Sequence, residues 1–345
     1  MANCRPHLLG MTTPELEELA VSLGEPEFRG RQIATQLYKR NVSAVSDMSD
    51  LPASFRAKLE GEAVLYRAKI LAAVRSPDGT TKFLLEMEDG TAIEAVLLPY
   101  EERVSVCVST QVGCAAGCLF CATAIGGLAH NLTAGEVVDE VLTLQRESPR
   151  RITHVVYMGM GEPLLNYAEA LKSIRILNGE IGVAMRHIAV STVGITPRIK
   201  ELAAEKLQIT LAISLHAPND ALRSRIMPIT ERYPLRGLIQ ACREYADSTH
   251  RRLTFEYLLI GGLNDSLPLA HELAALLKGL LCNVNLIPYN AVEGLPLNRP
   301  SRAHVQAFRS VLESSGITVT QRVERGHAIS AACGQLRRRQ QAESG

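Results

Sequence analysis

The chain has 345 residues, 46% hydrophobic and 21% charged, with 37 Lys and Arg against 36 Asp and Glu for a formal net charge of +1. That composition is ordinary for a globular protein and excludes a disordered or collagen-like chain; at about 150 residues per domain the length predicts one large domain with a smaller attachment. No apolar run approaches the roughly 18 residues of a membrane-spanning helix, Cys4 and Arg5 do not begin a signal peptide, and near-neutral charge supplies no electrostatic footprint for nucleic acid, so a cytoplasmic protein is expected whose partners must be read from a site.

Over residues 12–62 apolar positions recur at helical spacing. Pro14-Glu15-Leu16 opens one amphipathic stretch and residues 31–38 form another, which predicts a small helical domain over 1–65. Arg29, Arg31, Lys39 and Arg40 cluster there and offer either a phosphate-contacting face or a solvated helix surface. Between 66 and 106 the texture changes to β-branched runs broken by Pro77-Asp78-Gly79 and Glu88-Asp89-Gly90, the turn chemistry of a hairpin meander linking two modules. From Glu136 onward short apolar runs at 154–158, 188–191, 210–214, 254–258 and 284–287 are each followed by helical sequence, and such alternation implies a parallel sheet. Five or six units favour an α/β fold with a partial (β/α) barrel over 107–336 rather than a doubly wound sheet; in both, loops after the strands carry the site. Residues 337–345 are a basic polar tail expected to be disordered.

Eight cysteines are too sparse for a disulfide scaffold, and a reducing compartment keeps them as thiols or metal ligands. Cys4, Cys242 and Cys282 stand alone and read as small buried thiols or surface accidents. Cys114, Cys118 and Cys121 place three thiolates within eight residues, the donors preferred by iron-sulfur clusters and by zinc. Structural zinc usually takes a fourth ligand and Cys-x-x-Cys knuckles, whereas three closely spaced cysteines leave one cluster iron open to a small molecule. The spacing, Phe120 beside Cys121 and the following glycines favour the cluster over zinc or inert thiols.

This cysteine loop ahead of a βα array resembles the radical S-adenosylmethionine enzymes. Gln111-Val112-Gly113-Cys114, Phe120-Cys121-Ala122-Thr123, Asn131-Leu132-Thr133-Ala134-Gly135-Glu136, Met158-Gly159-Met160-Gly161-Glu162-Pro163, Ser214-Leu215-His216-Ala217 and Ala331-Ala332-Cys333-Gly334-Gln335-Leu336 are similar to motifs of the RlmN/Cfr family of RNA adenosine methyltransferases. With the helical N-terminal module over 1–65, read as an RNA-contacting accessory domain, the resemblance covers nearly the whole chain. It implies a [4Fe-4S] cluster on Cys114, Cys118 and Cys121 whose open iron chelates S-adenosylmethionine, with one-electron reduction giving a 5′-deoxyadenosyl radical. It also implies cofactor contacts from Gly161, where glycine allows close backbone approach, and Glu162, whose carboxylate can accept from an ammonium or ribose. Ser191, Ser214, Leu215, His216 and Asn290, at or just past strand ends, match the remaining contacts, although each polar one taken alone is more often a satisfied strand-end group.

The resemblance assigns three further roles. Cys333 matches the cysteine that is methylated by displacement and then carries the methyl group to the adenine. Cys107 matches the cysteine that forms a disulfide with it and frees the product. Glu94 matches the proton acceptor, general-base work that apolar neighbours such as Ala92, Ile93, Val96 and Leu97 could assist; a solvent-facing glutamate is the bland alternative. Two positions depart from the family pattern: His130 stands where arginine is common, and Ala328 where aspartate is common, which leaves loop positioning and the RNA partner open rather than the reaction class. The leading reading is carbon-2 methylation of adenosine in 23S rRNA, and also in tRNA, by a monomeric enzyme with an electron donor such as flavodoxin or ferredoxin. A carbon-8 enzyme of the same family is the alternative, to which Ser330 is similar, and a catalytically silent iron-sulfur RNA-binding factor is the reading from another class.

Overall fold

The computed structural model describes residues 5–290 and 295–321. The N-terminal module consists of α1 (Thr13–Ser22), α2 (Phe28–Ala34) and α3 (Ala53–Glu62). α1 begins where the sequence provides a capping box: the Glu15 carboxylate accepts from the Thr12 N–H and hydroxyl at 2.7 and 2.9 Å, and Pro14 sits where a helix needs no N–H donor. Leu8, Leu16, Ile33, Leu37 and Phe55 are buried in the same continuous core as the larger domain. Polar ties fix the module there, with Lys172 2.8 Å from Glu15, the Thr13 hydroxyl donating to Glu180 at 2.7 Å, and the Asn41 amide donating to the Leu142 carbonyl at 2.7 Å.

The meander follows as β1 (Lys69–Arg75), β2 (Thr81–Glu86), β3 (Ala92–Pro99) and β4 (Val104–Cys107), paired antiparallel in succession. β4 also pairs in parallel with β7, so the meander runs without a break into the parallel strands. Between them a separate two-stranded ladder, β5 (Gln111–Gly113) and β6 (Leu128–Asn131), brackets the cysteine loop, and α4 (Ala134–Glu147) leads to β7 (His154–Tyr157). The alternation continues as α5 (Tyr167–Ile176), β8 (Ile188–Thr192), α6 (Thr196–Ala204), β9 (Thr210–Ser214), α7 (Asp220–Ile226), α8 (Leu235–Thr249), β10 (Leu253–Leu259), α9 (Leu267–Leu277), β11 (Cys282–Pro288), α10 (Arg302–Ser314) and β12 (Thr318–Gln321). Among the described residues, ten strands form one sheet in the order β1-β2-β3-β4-β7-β8-β9-β10-β11-β12, an open barrel wall as the strand-helix count predicts.

The strand period of two decides which residues reach the site. Val155, Tyr157, Val190, Leu211, Ile213, Phe255, Tyr257, Val284 and Leu286 are buried on the helix side, where the Tyr157 hydroxyl lies 2.7 Å from Ser173 on α5. Their alternates form the opposite, concave face: Cys107 pairs with Val156, Val156 with Ala189, Ser191 with Ala212, Ser214 with Glu256, Glu256 with Asn285 and Asn285 with Thr320. This face is polar because it lines the barrel rather than packing on helices. Cys242 lies buried in α8, and burial pushes its thiol up to about 12, as suits an inert core cysteine. No helix among the described residues is long and apolar enough to cross a membrane.

Candidate active site

The three clustered cysteines sit in the loop that β5 and β6 close. Gly113 ends β5 at φ +86°, and a Cβ there would stand 2.0 Å from the Gly127 carbonyl oxygen, so only glycine lets the loop's two ends meet. The Cys114 N–H donates to that carbonyl at 2.9 Å, and the Cys121 N–H donates to the Cys118 carbonyl at 3.1 Å. The loop's outer side is held by the Leu119 N–H donating to the Ile226 carbonyl at 2.9 Å, while Cys114, Ala116 and Cys118 pack on Leu222, Ile226 and Met227 of the α7 region. Burial pushes the Cys114 thiol up to about 11 and the Cys118 thiol further, and the Cys121 sulfur and Glu162 carboxylate nearby add to both shifts.

Two buried thiols and a half-buried third beside a carboxylate cannot all ionise unless a cation shares the site, so the donor set suits a metal centre that supplies positive charge. Thiolates are the donors that iron-sulfur clusters take, and three of them in one loop fit a cluster that keeps one iron open.

The loop after β7 lies against this one. Gly161 has φ +102°, and a Cβ would stand 2.6 Å from the Gln111 side chain. The Gln111 side chain reaches across, accepting from the Glu162 N–H at 2.8 Å and donating to Asn131 at 2.7 Å. Glu162 is fully buried, which pushes its carboxyl up to about 7 against the hydrogen bonds it accepts from Thr192 and from the Val193 and Leu164 N–H groups. Its carboxylate thus braces the loops after β7 and β8 together, a role the sequence does not suggest.

At the ends of β8 and β9 the Ser191 and Ser214 hydroxyls are 3.5 Å apart, and Leu215 is fully buried behind them. His216 adopts φ +58°, uncommon for a residue with a side chain, and is held there by the Asn264 amide donating to its carbonyl at 2.8 Å. Its Nδ1 accepts from the Leu258 N–H at 3.0 Å, and burial beside Arg223 pushes the ring down to about 3. The imidazole is therefore neutral with its proton on Nε2, and it meets Phe120 edge to face at 4.9 Å. Asn290 lies just past β11 at the surface, hydrogen-bonded to Arg299. The strand ends are joined from beneath by Arg223 of α7, whose buried guanidinium donates to the carbonyls of Val193, Ser214 and Leu215 at 2.6, 3.0 and 3.0 Å and to the Thr230 hydroxyl at 3.1 Å.

Glu94 lies on β3 at 2% exposure, which removes the solvent-facing alternative. Its surroundings also differ from the apolar pocket expected: Ile93 and Leu97 face the other way, and the Lys82 ammonium lies 3.0 Å from its carboxylate. Lys82 is opposite Val96, which is opposite Cys107, so Glu94, Lys82 and Cys107 share one face of three neighbouring strands. The structure thus brings Glu94 and Cys107 together, and it groups the cluster loop, Gly161, Glu162, Ser191, Ser214 and His216 at the strand ends. Cys333, Ala328 and the basic tail lie outside the described residues, as does Cys4.

His130 on β6 is 2.9 Å from Asp89 and 3.3 Å from the Thr91 hydroxyl, which ties the β2–β3 turn to the strand that closes the cysteine loop. Of the N-terminal basic cluster, Arg31 pairs with Glu17 at 2.5 Å, Arg40 with Asp50 at 3.3 Å and Arg29 with Glu25 at 3.7 Å. These ion pairs favour the solvated-surface reading of that cluster over a phosphate face. Lys82, Asn264, Arg223 and the bracing role of Gln111 are what sequence reasoning missed. Gln111 left a signal in the motif ahead of Cys114, and Lys82 in the hairpin register that puts it diagonal to Glu94.

Comparison with known proteins agrees with this geometry. The family model described as Radical SAM superfamily matches residues 108–273, and the one described as Ribosomal RNA large subunit methyltransferase N-terminal domain matches residues 6–65. A probable dual-specificity RNA methyltransferase RlmN from Desulforamulus reducens is 47% identical over 345 residues, 99% of each chain. The protein of the same name from Picosynechococcus is 46% identical over 330 residues, covering 96% of this chain and 95% of its own. The crystal structure of a radical SAM methyltransferase from Sphaerobacter thermophilus is 47% identical and superposes with a TM-score of 0.92 over 96% of this chain and 98% of that one.

Proposed function

The chain belongs to the RlmN family of radical SAM RNA methyltransferases, and from that premise we propose that it methylates carbon 2 of an adenosine in 23S rRNA, with tRNA as a second substrate. Relatives named dual-specificity RNA methyltransferases support the substrate class. Cys114, Cys118 and Cys121 hold a [4Fe-4S] cluster, and Gly161, Glu162, Ser191, Ser214, Leu215, His216 and Asn290 hold S-adenosylmethionine. When bound, these groups supply an electrophilic methyl and, on reduction by a flavodoxin- or ferredoxin-class donor, a 5′-deoxyadenosyl radical.

The chain's own residues do the rest. The Cys333 thiolate accepts the methyl group and presents its carbon to the adenine, so the new carbon reaches RNA through the protein. Joining that carbon to the adenine requires one hydrogen atom to leave the methyl, which the bound cofactor's radical would take; Glu94 then takes the proton from carbon 2 of the adduct, whose odd electron would pass to the cluster. The Cys107 thiolate then attacks the Cys333 sulfur; the S–S bond forms as the sulfur–carbon bond breaks, the electron pair goes to the released carbon, and that carbon takes a proton to become the methyl group. The neutral His216, with Nδ1 already engaged, offers Nε2 as a donor.

One observation carries this reading: Glu94 and Cys107 lie on the same concave face of adjacent strands, in the wall that leads directly to the cysteine loop. A silent RNA-binding descendant has no chemical need for that pair beside a complete cysteine triad. The test is anaerobic reconstitution with iron and sulfide, followed by S-adenosylmethionine, reductant and unmodified rRNA, with the product read by mass spectrometry against carbon-2 and carbon-8 standards. 2-Methyladenosine is expected; 8-methyladenosine would assign the chain to the alternative chemistry, and an intact cluster that cleaves its cofactor without methylating RNA would refute the substrate.

A further inference from the structure

We propose that Lys82 is a positioning residue for the proton transfer, holding the Glu94 carboxylate in place and supplying the counter-charge that lets it receive a proton inside the barrel; this rests on the assignment of Glu94 as the acceptor. The Lys82 ammonium is 3.0 Å from the Glu94 carboxylate, and both side chains are 1% exposed. The contact follows from strand register: Leu84 is opposite Glu94 and Lys82 opposite Val96, so lysine and glutamate are diagonal neighbours on one face.

An ion pair at this depth is a poor choice for stability alone, because desolvating two charges costs about as much as their attraction returns, and an apolar pair of similar volume does as well or better. A buried carboxylate left alone favours its protonated form and cannot then accept another proton, while a buried carboxylate beside an ammonium is supported in its charged form. The pair's place also points to chemistry. The titratable side chains on this face of the flanking strands are Lys82 and Glu86 of β2 and Cys107 of β4, and Glu86 is itself 3.5 Å from Lys69. The backbone beneath is fixed as well, since the Ser109 hydroxyl donates to the Glu94 carbonyl at 2.8 Å and the Ser109 N–H donates to the buried Glu140 at 2.9 Å.

The proton transfer itself is redox-neutral. The hydrogen–carbon 2 bond of the adduct breaks, its electron pair stays in the adenine ring, and the proton moves to a Glu94 oxygen while Lys82 keeps its own protons.

The test compares Lys82→Met, Lys82→Gln, Lys82→Arg and Glu94→Gln in reconstituted holoenzyme. Iron and sulfide content and 5′-deoxyadenosine formation report the cluster and its cofactor. Covalent protein–RNA adduct on denaturing gels and methylated adenosine report the proton transfer that Lys82 supports. We expect Lys82→Met and Lys82→Gln to keep the cluster and cofactor cleavage, to accumulate adduct, and to form product about 100-fold more slowly, the lower range for loss of a general base. The acid limb of their pH–rate profiles should move to higher pH, and Lys82→Arg should restore most of the rate. Product formation by both neutral variants at the wild-type rate with an unmoved acid limb would overturn the proposal. If Glu94→Gln also works at the wild-type rate, the acceptor assignment itself is wrong; if Glu94→Gln is inactive while the lysine variants are not, only the role of Lys82 is.

Discussion

His216 shows how much one side chain can be committed by its surroundings. Its backbone sits at φ +58°, its Nδ1 accepts from the Leu258 N–H, and burial with the Arg223 charge nearby pushes its ring down to about 3 from an ordinary 6.5. A histidine whose folded value is depressed contributes stability that is present above the unfolded value and is lost as pH falls from about 6.5 toward 3, at about 1.4 kcal/mol per pH unit. The wild-type protein should therefore lose stability over that window more steeply than His216→Gln, measured by denaturant unfolding at stepped pH, and the His216 ring should stay neutral at pH 5 by nuclear magnetic resonance. Equal pH slopes for the two proteins would contradict the assignment. Gly113 is committed by space instead: in Gly113→Ala the new methyl meets the Gly127 carbonyl in a left-handed backbone, at a cost of about 1–3 kcal/mol. That variant should melt several degrees lower and retain less iron after reconstitution.

At the scale of elements, the site depends on strand ends being held level. Arg223 does this for β8 and β9 by donating to three carbonyls at or just past their ends, and burial pushes its guanidinium down to about 10 without discharging it at neutral pH. Arg223→Met leaves those carbonyls without their donor, at about 1–3 kcal/mol each. We expect a large fall in melting temperature together with weaker S-adenosylmethionine binding by calorimetry, since Ser214, Leu215 and His216 share that loop. The strands themselves were legible as short apolar runs between helical stretches; which residues line the barrel (Thr210, Ala212, Ser214) and which face helices (Leu211, Ile213) came from the structure. The cysteine loop was legible from its spacing together with Phe120 beside Cys121 and the glycines that follow. Arg223 and the bracing role of Gln111 were not, because each acts across elements far apart in sequence; Lys82 was legible only through the hairpin register, since nothing local separates a buried strand lysine from an exposed one.

For the whole molecule, the sequence showed a helical module, a meander and a βα array, but it did not show how they join. The junction is made by β4, which pairs antiparallel with β3 and parallel with β7, so the Glu94 strand belongs to the same wall as the cofactor-side strands. Long-range pairing of this kind leaves no periodic signal. The N-terminal module is likewise fixed by contacts between distant residues, among them Arg67 with Asp139 at 2.9 Å, both nearly buried. Arg67→Met strands the Asp139 carboxylate, and breaking a buried pair in this way costs about 3–5 kcal/mol. The module's helices should then become sensitive to proteolysis before the barrel does.

The central claim is that the methyl carbon passes through the protein on its way to RNA. Holoenzyme loaded with an isotopically labelled methyl group on Cys333, freed of labelled cofactor and then given RNA with unlabelled S-adenosylmethionine, tests it most directly by mass spectrometry of the first-turnover product. The account predicts labelled methyladenosine in that turnover and none from Cys333→Ala. Unlabelled product from the loaded wild-type protein, or methylation by the variant, would contradict it.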